Sequence, residues 1–171
     1  MPYPTQEALK AALHYDPDTG IFTWTKARNR RTKAGMRAGC VKTKKYNRQY
    51  RQIYFDRHTC LEHRLAFIHM TGSAPELIDH ENLNGLDNRW NNLRPANQVQ
   101  NMRNQKLISR NTSGVCGVHL VKTSGMWSAQ IYAKKHFALG RFHDFFDAVC
   151  ARKSAEVKHD FSINHGRRLA A

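Results

Sequence analysis

At 171 residues the chain suits one modest domain or two small ones, and a 40% hydrophobic content gives it material for a core of limited size. Its 28 Lys and Arg against 13 Asp and Glu leave a formal net charge of +15. With a pI near 10.1 that points to a polyanionic partner, nucleic acid ahead of an anionic membrane. No run approaches the roughly 20 apolar residues of a spanning helix, and the basic residues do not sit on one face of one amphipathic helix, so the expectation is no membrane partner.

The N-terminus lacks a basic head followed by an apolar run, and no signal peptide is expected. The four cysteines, at 40, 60, 116 and 150, form no CxxC pair. Neither a thiolate zinc site nor a disulfide is expected, and the compartment reads as a reducing cytoplasm. Charge is uneven: residues 1–60 carry a net +9, 61–110 a net +1 and 111–171 a net +5. Basic flanks that grip phosphates around a centre that holds carboxylates is a layout suited to an enzyme on nucleic acid.

In chain order, residues 6–14 read as a short helix. Asp16-Pro17-Asp18-Thr19-Gly20 is a strong turn signal, and Ile21 to Trp24 a short strand. Residues 26–48, rich in Lys, Arg, Gly and Asn, read as a basic loop or arm that orders on DNA, with a solvated linker as the alternative. Residues 50–55 alternate as a strand, 56–59 form a hairpin turn, and 61–70 a helix whose apolar face includes Leu61, Leu65, Phe67 and Ile68. Gly72 and Pro75 stop it. Asn111-Thr112-Ser113-Gly114 marks a boundary. Strands are expected over 115–121, 126–133 and 136–142, then a helix over 144–159 with Phe146, Val149, Ala151, Ala155 and Val157 available for packing. This is a small α+β module of about 50 residues, near the lower limit for independent folding. The tail from Gly166 is expected to fray.

The central run carries the chemistry. It reads Ile78-Asp79-His80, then Asn84-Gly85, then Asp87-Asn88-Arg89-Trp90-Asn91-Asn92-Leu93-Arg94, with Asn101 standing 22 positions after Asp79. Cutting a phosphodiester needs an activated water, a divalent cation and a fixed backbone. Adjacent Asp and His at a strand end can divide the first two tasks, provided the strand ends or bends there. One Asp plus the amide oxygen of Asn101 is a sparse oxygen set of the kind magnesium takes. Asn97, one helical turn earlier on the same face, is an alternative ligand. A helix over 95–102, with Pro95 in its first turn, completes a strand–loop–strand–helix order, a ββα metal-binding layout.

These residues resemble the HNH motif of phage homing endonucleases. Tyr15 to Trp24 and His63-Arg64-Leu65-Ala66-Phe67 also look like segments of that group. Downstream, Asn111 to Gly117, Trp127 to Ile131, Leu139-Gly140-Arg141-Phe142 and Ala148 to Ala155 resemble an AP2-type DNA-binding domain. The resemblance implies an α+β chain in three parts: an N-terminal helix, strand and basic arm (1–50), a ββα-metal nuclease core (51–108) and an AP2-like module (109–171). It implies His80 as general base, Asp79 and Asn101 as ligands of a divalent metal, and Asn92 as a structural residue tying the loop that orients His80. Many members have His where this chain has Asn101, and the harder set favours magnesium, or manganese, over zinc.

The expected partner is double-stranded DNA. Expected contacts are His63, Arg64, Arg89, Arg94, Arg103, His119, Lys122, Gln130 and Arg141, the last group on the AP2-like sheet. Histidines 63 and 69 serve packing as readily as phosphate contact, and Trp90 and Trp127 suit a core better than base stacking. Asp79 with His80 favours a cutting enzyme over its competitors, a catalytically inactive DNA-binding regulator and a general structural nucleic-acid binder. No long heptad is visible, so a monomer is expected. One active site per chain favours nicking. If the chain is phage-encoded, the compartment is the host cytoplasm.

Overall fold

The computed structural model of the chain describes residues 3–44 and 48–167. The chain forms two compact units, Met1–Gln98 and Val99–Ala171.

In the first unit, Thr5 caps α1 (Gln6–Ala12) by accepting a hydrogen bond from the Ala8 amide. The helix is shorter than the expected 6–14, because Leu13 and Tyr15 are buried alternately in β1 (Leu13–Asp16). That strand pairs antiparallel with β2 (Ile21–Trp24). The Asp16 carboxylate closes the connecting turn by accepting from the amides of Asp18 and Thr19 and the Thr19 hydroxyl.

The basic stretch 26–48, expected as a loop or arm, contains a strand. β3 (Cys40–Lys44), β4 (Arg48–Phe55) and β5 (His58–Leu61) form a three-stranded antiparallel meander. Every β3 side chain is exposed, so no alternating pattern announces it. Backbone pairing to β4 specifies the strand instead, and the Arg51 guanidinium donates to the carbonyls of Ala38 and Gly39. Residues 45–47 of that stretch, and 168–171 of the tail, lie outside the described residues.

Helix α2 (Glu62–Thr71) follows β5 directly and buries Leu65, Ala66, Phe67 and Ile68. It ends as expected at Gly72, whose φ of 83° is the left-handed cap and whose amide donates to the Ile68 carbonyl. A ββα region thus spans residues 48–71. The core joins Leu9, Leu13, Phe22, Ile53, Leu65 and Leu93, and Trp90 packs on Phe67 with ring centroids 4.8 Å apart.

Next, β6 (Leu77–His80) pairs antiparallel with β7 (Leu93–Ala96). The helix expected from Pro95 starts later, as α3 (Gln98–Arg103), because Pro95 is a β7 residue opposite Ile78. A two-stranded hairpin has only edges, where proline is tolerated.

In the second unit, β8 (Val118–Val121), β9 (Met126–Ala133) and β10 (Lys135–Phe142) form an antiparallel sheet in the order β10-β9-β8. The strand expected from 115 starts at Val118 because Asn111 and Ser113 hold the preceding residues in a turn. Asn111 accepts from the Gly114 amide, and the Ser113 hydroxyl donates to the Val118 carbonyl. Asp144 caps α4 (Phe145–Lys158) by accepting from the amides of Phe146 and Asp147.

That start fixes the phase of α4. Ala148, Arg152, Ala155 and Glu156 are buried, while Phe146 and Val157, expected in the packing, are 71% and 80% exposed. Trp127 meets Phe145 at 4.7 Å between ring centroids. The segment ahead of residue 109, where the sequence places the domain boundary, packs within this unit: the Leu107 amide donates to the Arg167 carbonyl and the Gly166 amide to the Gln105 carbonyl. Among the described residues no helix is long and apolar enough to cross a membrane.

Candidate active site

The β6–β7 hairpin places Asp79 opposite Arg94 and His80 opposite Leu93. Alternation along β6 sends the two side chains to opposite faces, and both are buried. Arg94 donates to Asp79 Oδ2 through Nη2 at 2.9 Å and Nε at 3.3 Å, and through Nη1 to Glu81 Oε1 at 3.2 Å. One guanidinium therefore spans two carboxylates.

The loop from 81 to 92 is braced from inside and outside. Asn92 accepts from the Asn82 amide at 2.9 Å and donates to the Asp87 carbonyl at 2.7 Å. The Asp87 carboxylate takes the fork of Arg89 and the side-chain amide of Asn82, and these bonds hold its pKa below the usual carboxylate range. From outside, the β1–β2 turn leans on the loop. Tyr15 donates its hydroxyl to the Asn88 carbonyl at 2.7 Å, and the Trp90 amide donates to the Pro17 carbonyl at 2.9 Å. Gly20, at φ +72°, lies so close that a Cβ there would come within 2.3 Å of the Asn88 carbonyl carbon.

On its own face His80 meets a buried polar line. Its Nε2 lies 3.0 Å from Asn88 Oδ1, and Asn88 Nδ2 donates to Glu62 Oε2 at 2.6 Å. Glu62 is wholly buried at the N-terminus of α2, and Arg51 Nε is 3.5 Å from its Oε2. Burial raises the Glu62 pKa, with Arg51 and the Asn88 amide opposing the rise. Burial lowers that of His80, partly offset by the Asn88 bond and by Asp79 and Asp87. Burial thus works against the charged form of the imidazole.

His63 packs edge-on against His80, centroids 5.0 Å apart, and against Tyr50 at 5.8 Å. Burial, then the neighbouring His80, pushes its pKa down to about 3. Tyr15 is held well above the usual phenol range by burial and then Glu62.

Asp79, His80 and Asn92 thus gather on one hairpin and its loop, together with Asn97 just beyond β7. Asn101 belongs to the second unit, on α3. Of the expected DNA contacts, His63 is buried beside His80. Arg64 donates to the carbonyls of Pro75 and Glu76 and lies over the Tyr3 ring. Arg89 and Arg94 hold Asp87 and Asp79, and Arg103 lies 5.7 Å from the Phe161 ring centroid. His69 packs edge-on against Tyr15 and Phe22.

In the second unit, cross-strand register places His119 opposite Ser128 and Arg141 opposite the same Ser128. Gln130, two residues on from Ser128, shares that face. The buried Val118, Ala129 and Ile131 point the other way, so His119, Gln130 and Arg141 line the outer surface of the sheet. Lys122 is exposed in the β8–β9 turn.

Sequence reasoning missed Asn88, Glu62, Tyr15 and Gly20. The Asp-Pro-Asp-Thr-Gly turn was legible as a turn, but nothing in its spacing showed that it braces a loop some 70 residues away. Glu62 reads as an ordinary first-turn helix carboxylate.

Residues 60–103 match the family model described as HNH endonuclease, so an HNH endonuclease domain is present in this stretch. No curated protein and no solved structure matches the chain. The HNH family generally requires a divalent metal. Among the described residues no three His, Cys, Asp or Glu side chains form a metal-holding group. At the end of β6 the donors on offer are the Asp79 carboxylate and asparagine amide oxygens. These hard, sparse donors suit magnesium with its own waters rather than zinc.

Proposed function

We propose that the chain is a metal-dependent, site-specific DNA endonuclease of the homing type that nicks one strand, and that its second unit is an AP2-like DNA-binding module. The observation that carries this reading is a buried His80 next to the Asp79 carboxylate inside an HNH endonuclease domain.

The hydrogen bonds around His80 support this chemistry. A carboxylate only accepts, so Glu62 must face the NH2 of Asn88. That turns Asn88 Oδ1 toward His80, whose Nε2 then carries the proton and donates. The basic lone pair lies on Nδ1. His80 takes a proton from water there as the water oxygen bonds to phosphorus, one backbone P–O bond breaks, and the departing oxygen is protonated by solvent. Asp79 would hold magnesium or manganese, with Asn101 as the further ligand that the resemblance implies, and the metal would supply neutralisation of the charge developing on the phosphate and the leaving oxygen. Asn92, by tying Asn82 to Asp87, keeps the loop closed around His80. Double-stranded DNA is held by the net +15 charge and by the outer sheet face of His119, Gln130 and Arg141, with Lys122 at its end. Arg64, Arg89 and Arg103 are further phosphate contacts in this reading.

One observation favours a second reading, a catalytically silent DNA-binding regulator: Arg94 occupies the Asp79 carboxylate. Incubation of plasmid DNA with the protein and magnesium, then with chelator, separates the two. Nicks that appear with magnesium and vanish with chelator support the enzyme. Tight binding with no nicks under either condition supports the regulator.

A further inference from the structure

We propose that Glu62 and Asn88 are a positioning pair that selects which ring nitrogen of His80 carries the lone pair. The proposal deepens the endonuclease reading and rests on it for its catalytic consequence.

An asparagine side chain between an acceptor and an imidazole has two orientations of nearly equal shape. In one, Oδ1 faces His80, Nε2 is protonated, and Nδ1 is the base. In the other, the NH2 faces His80, Nε2 becomes the acceptor, and the lone pair is spent on Asn88. Asn88 alone does not choose. Glu62 does, because a carboxylate 2.6 Å from Nδ2 tolerates only the NH2 there.

The surroundings are arranged around that choice. Glu62 sits at the first residue of α2, where the helix dipole favours negative charge, with Arg51 Nε 3.5 Å away. Its other oxygen, Oε1, is buried with no hydrogen-bond partner among the described residues. A wholly buried carboxylate with one idle oxygen is a costly way to fill space. An apolar side chain would pack as well but would leave the Asn88 amide free to turn. The Asn88 backbone is fixed separately, by the Tyr15 hydroxyl on its carbonyl and by Gly20 against it. Backbone position and amide orientation therefore have different keepers, and only the second involves Glu62.

The test is nitrogen NMR of His80 ring tautomers in the full-length chain, in mildly alkaline buffer without DNA, comparing wild type with Glu62→Gln and Asn88→Ala. A glutamine accepts or donates, so it loses the selection while keeping size and shape. Wild type is expected to show His80 protonated on Nε2, and Glu62→Gln a mixture of both tautomers. Cleavage by Glu62→Gln should fall about 10-fold to 100-fold in kcat, by analogy with the cost of losing a hydrogen-bond partner that orients a metal-bound histidine, with KM for DNA unchanged.

A wild-type His80 protonated on Nδ1 overturns the proposal whether or not the variants fold. So does a folded Glu62→Gln with the wild-type tautomer and kcat. If wild type cuts no DNA yet shows the Nε2–H tautomer and Glu62→Gln loses it, the positioning pair stands and the endonuclease reading falls.

Discussion

His63 and His80 share one buried face of the first unit, and that burial has a consequence measurable without DNA. The His63 pKa lies at about 3 in the folded chain against an ordinary 6.5. Unfolded, the ring binds a proton as pH drops through about 6.5; folded, it resists until about pH 3. The unfolded state thus binds more protons in that window, so stability is full above 6.5 and is lost as pH falls toward 3. His80 and His69, also lowered by burial, act in the same direction. Thermal melts of the full chain between pH 8 and pH 4 should show Tm falling on the acid side. His63→Asn, which cannot titrate, should show a shallower fall. Parallel curves for the two proteins would remove His63 from the account. Asp79, His80 and Asn92 were singled out by their resemblance to a motif, and the fold gathers them on one hairpin and its loop. Asn88 was not singled out, because its part depends on Glu62, 26 positions earlier, and only folding sets that pair side by side.

The elements differ in what made them legible. Helix α2 carries its own apolar face and a glycine stop, and each end falls one residue later than in the expected 61–70. β3 carries neither: all of its side chains are exposed, and it exists because β4 offers a ladder and Arg51 fastens its entry. The start of α3 moved for a similar reason, since pairing of Pro95 with Ile78 outweighs the helix-start preference of proline. The β1–β2 turn joins element to site, and two glycines isolate its effect. Gly20 and Gly125 both have positive φ, +72° and +66°, but a Cβ at Gly20 would strike Asn88 whereas nothing lies within 4 Å at Gly125. Alanine at either site incurs backbone strain on the order of 1–3 kcal/mol. Gly20→Ala should in addition displace Asn88 and slow DNA cleavage, while Gly125→Ala should melt lower but cut at the wild-type rate. Equal cleavage rates in the two folded variants would mean that the turn does not support the loop.

One unit buries a histidine and a carboxylate and the other exposes a sheet face, and the proposed function assigns cutting to the first and DNA binding to the second. The three-strand-plus-helix order of the second unit was legible from its alternation and turn residues. The outward face was not, because it follows from the side on which α4 buries Ala148 and Ala155. Single changes on that face should separate grip from reading. Arg141→Ala should lower the slope of log K against log salt by about 0.9 if the guanidinium meets one phosphate. Gln130→Ala should leave the slope alone and relax site preference. Binding titrations across a salt series decide both, and no change in either would mean that this face does not touch DNA.

Whether His80 activates the water is read out by measuring DNA affinity and magnesium-dependent cleavage side by side for wild type and His80→Ala. The expected result is unchanged affinity with cleavage slowed by about 10²–10⁴-fold, the usual contribution of a general base. A His80→Ala variant that binds and cuts like wild type would mean that another group activates the water.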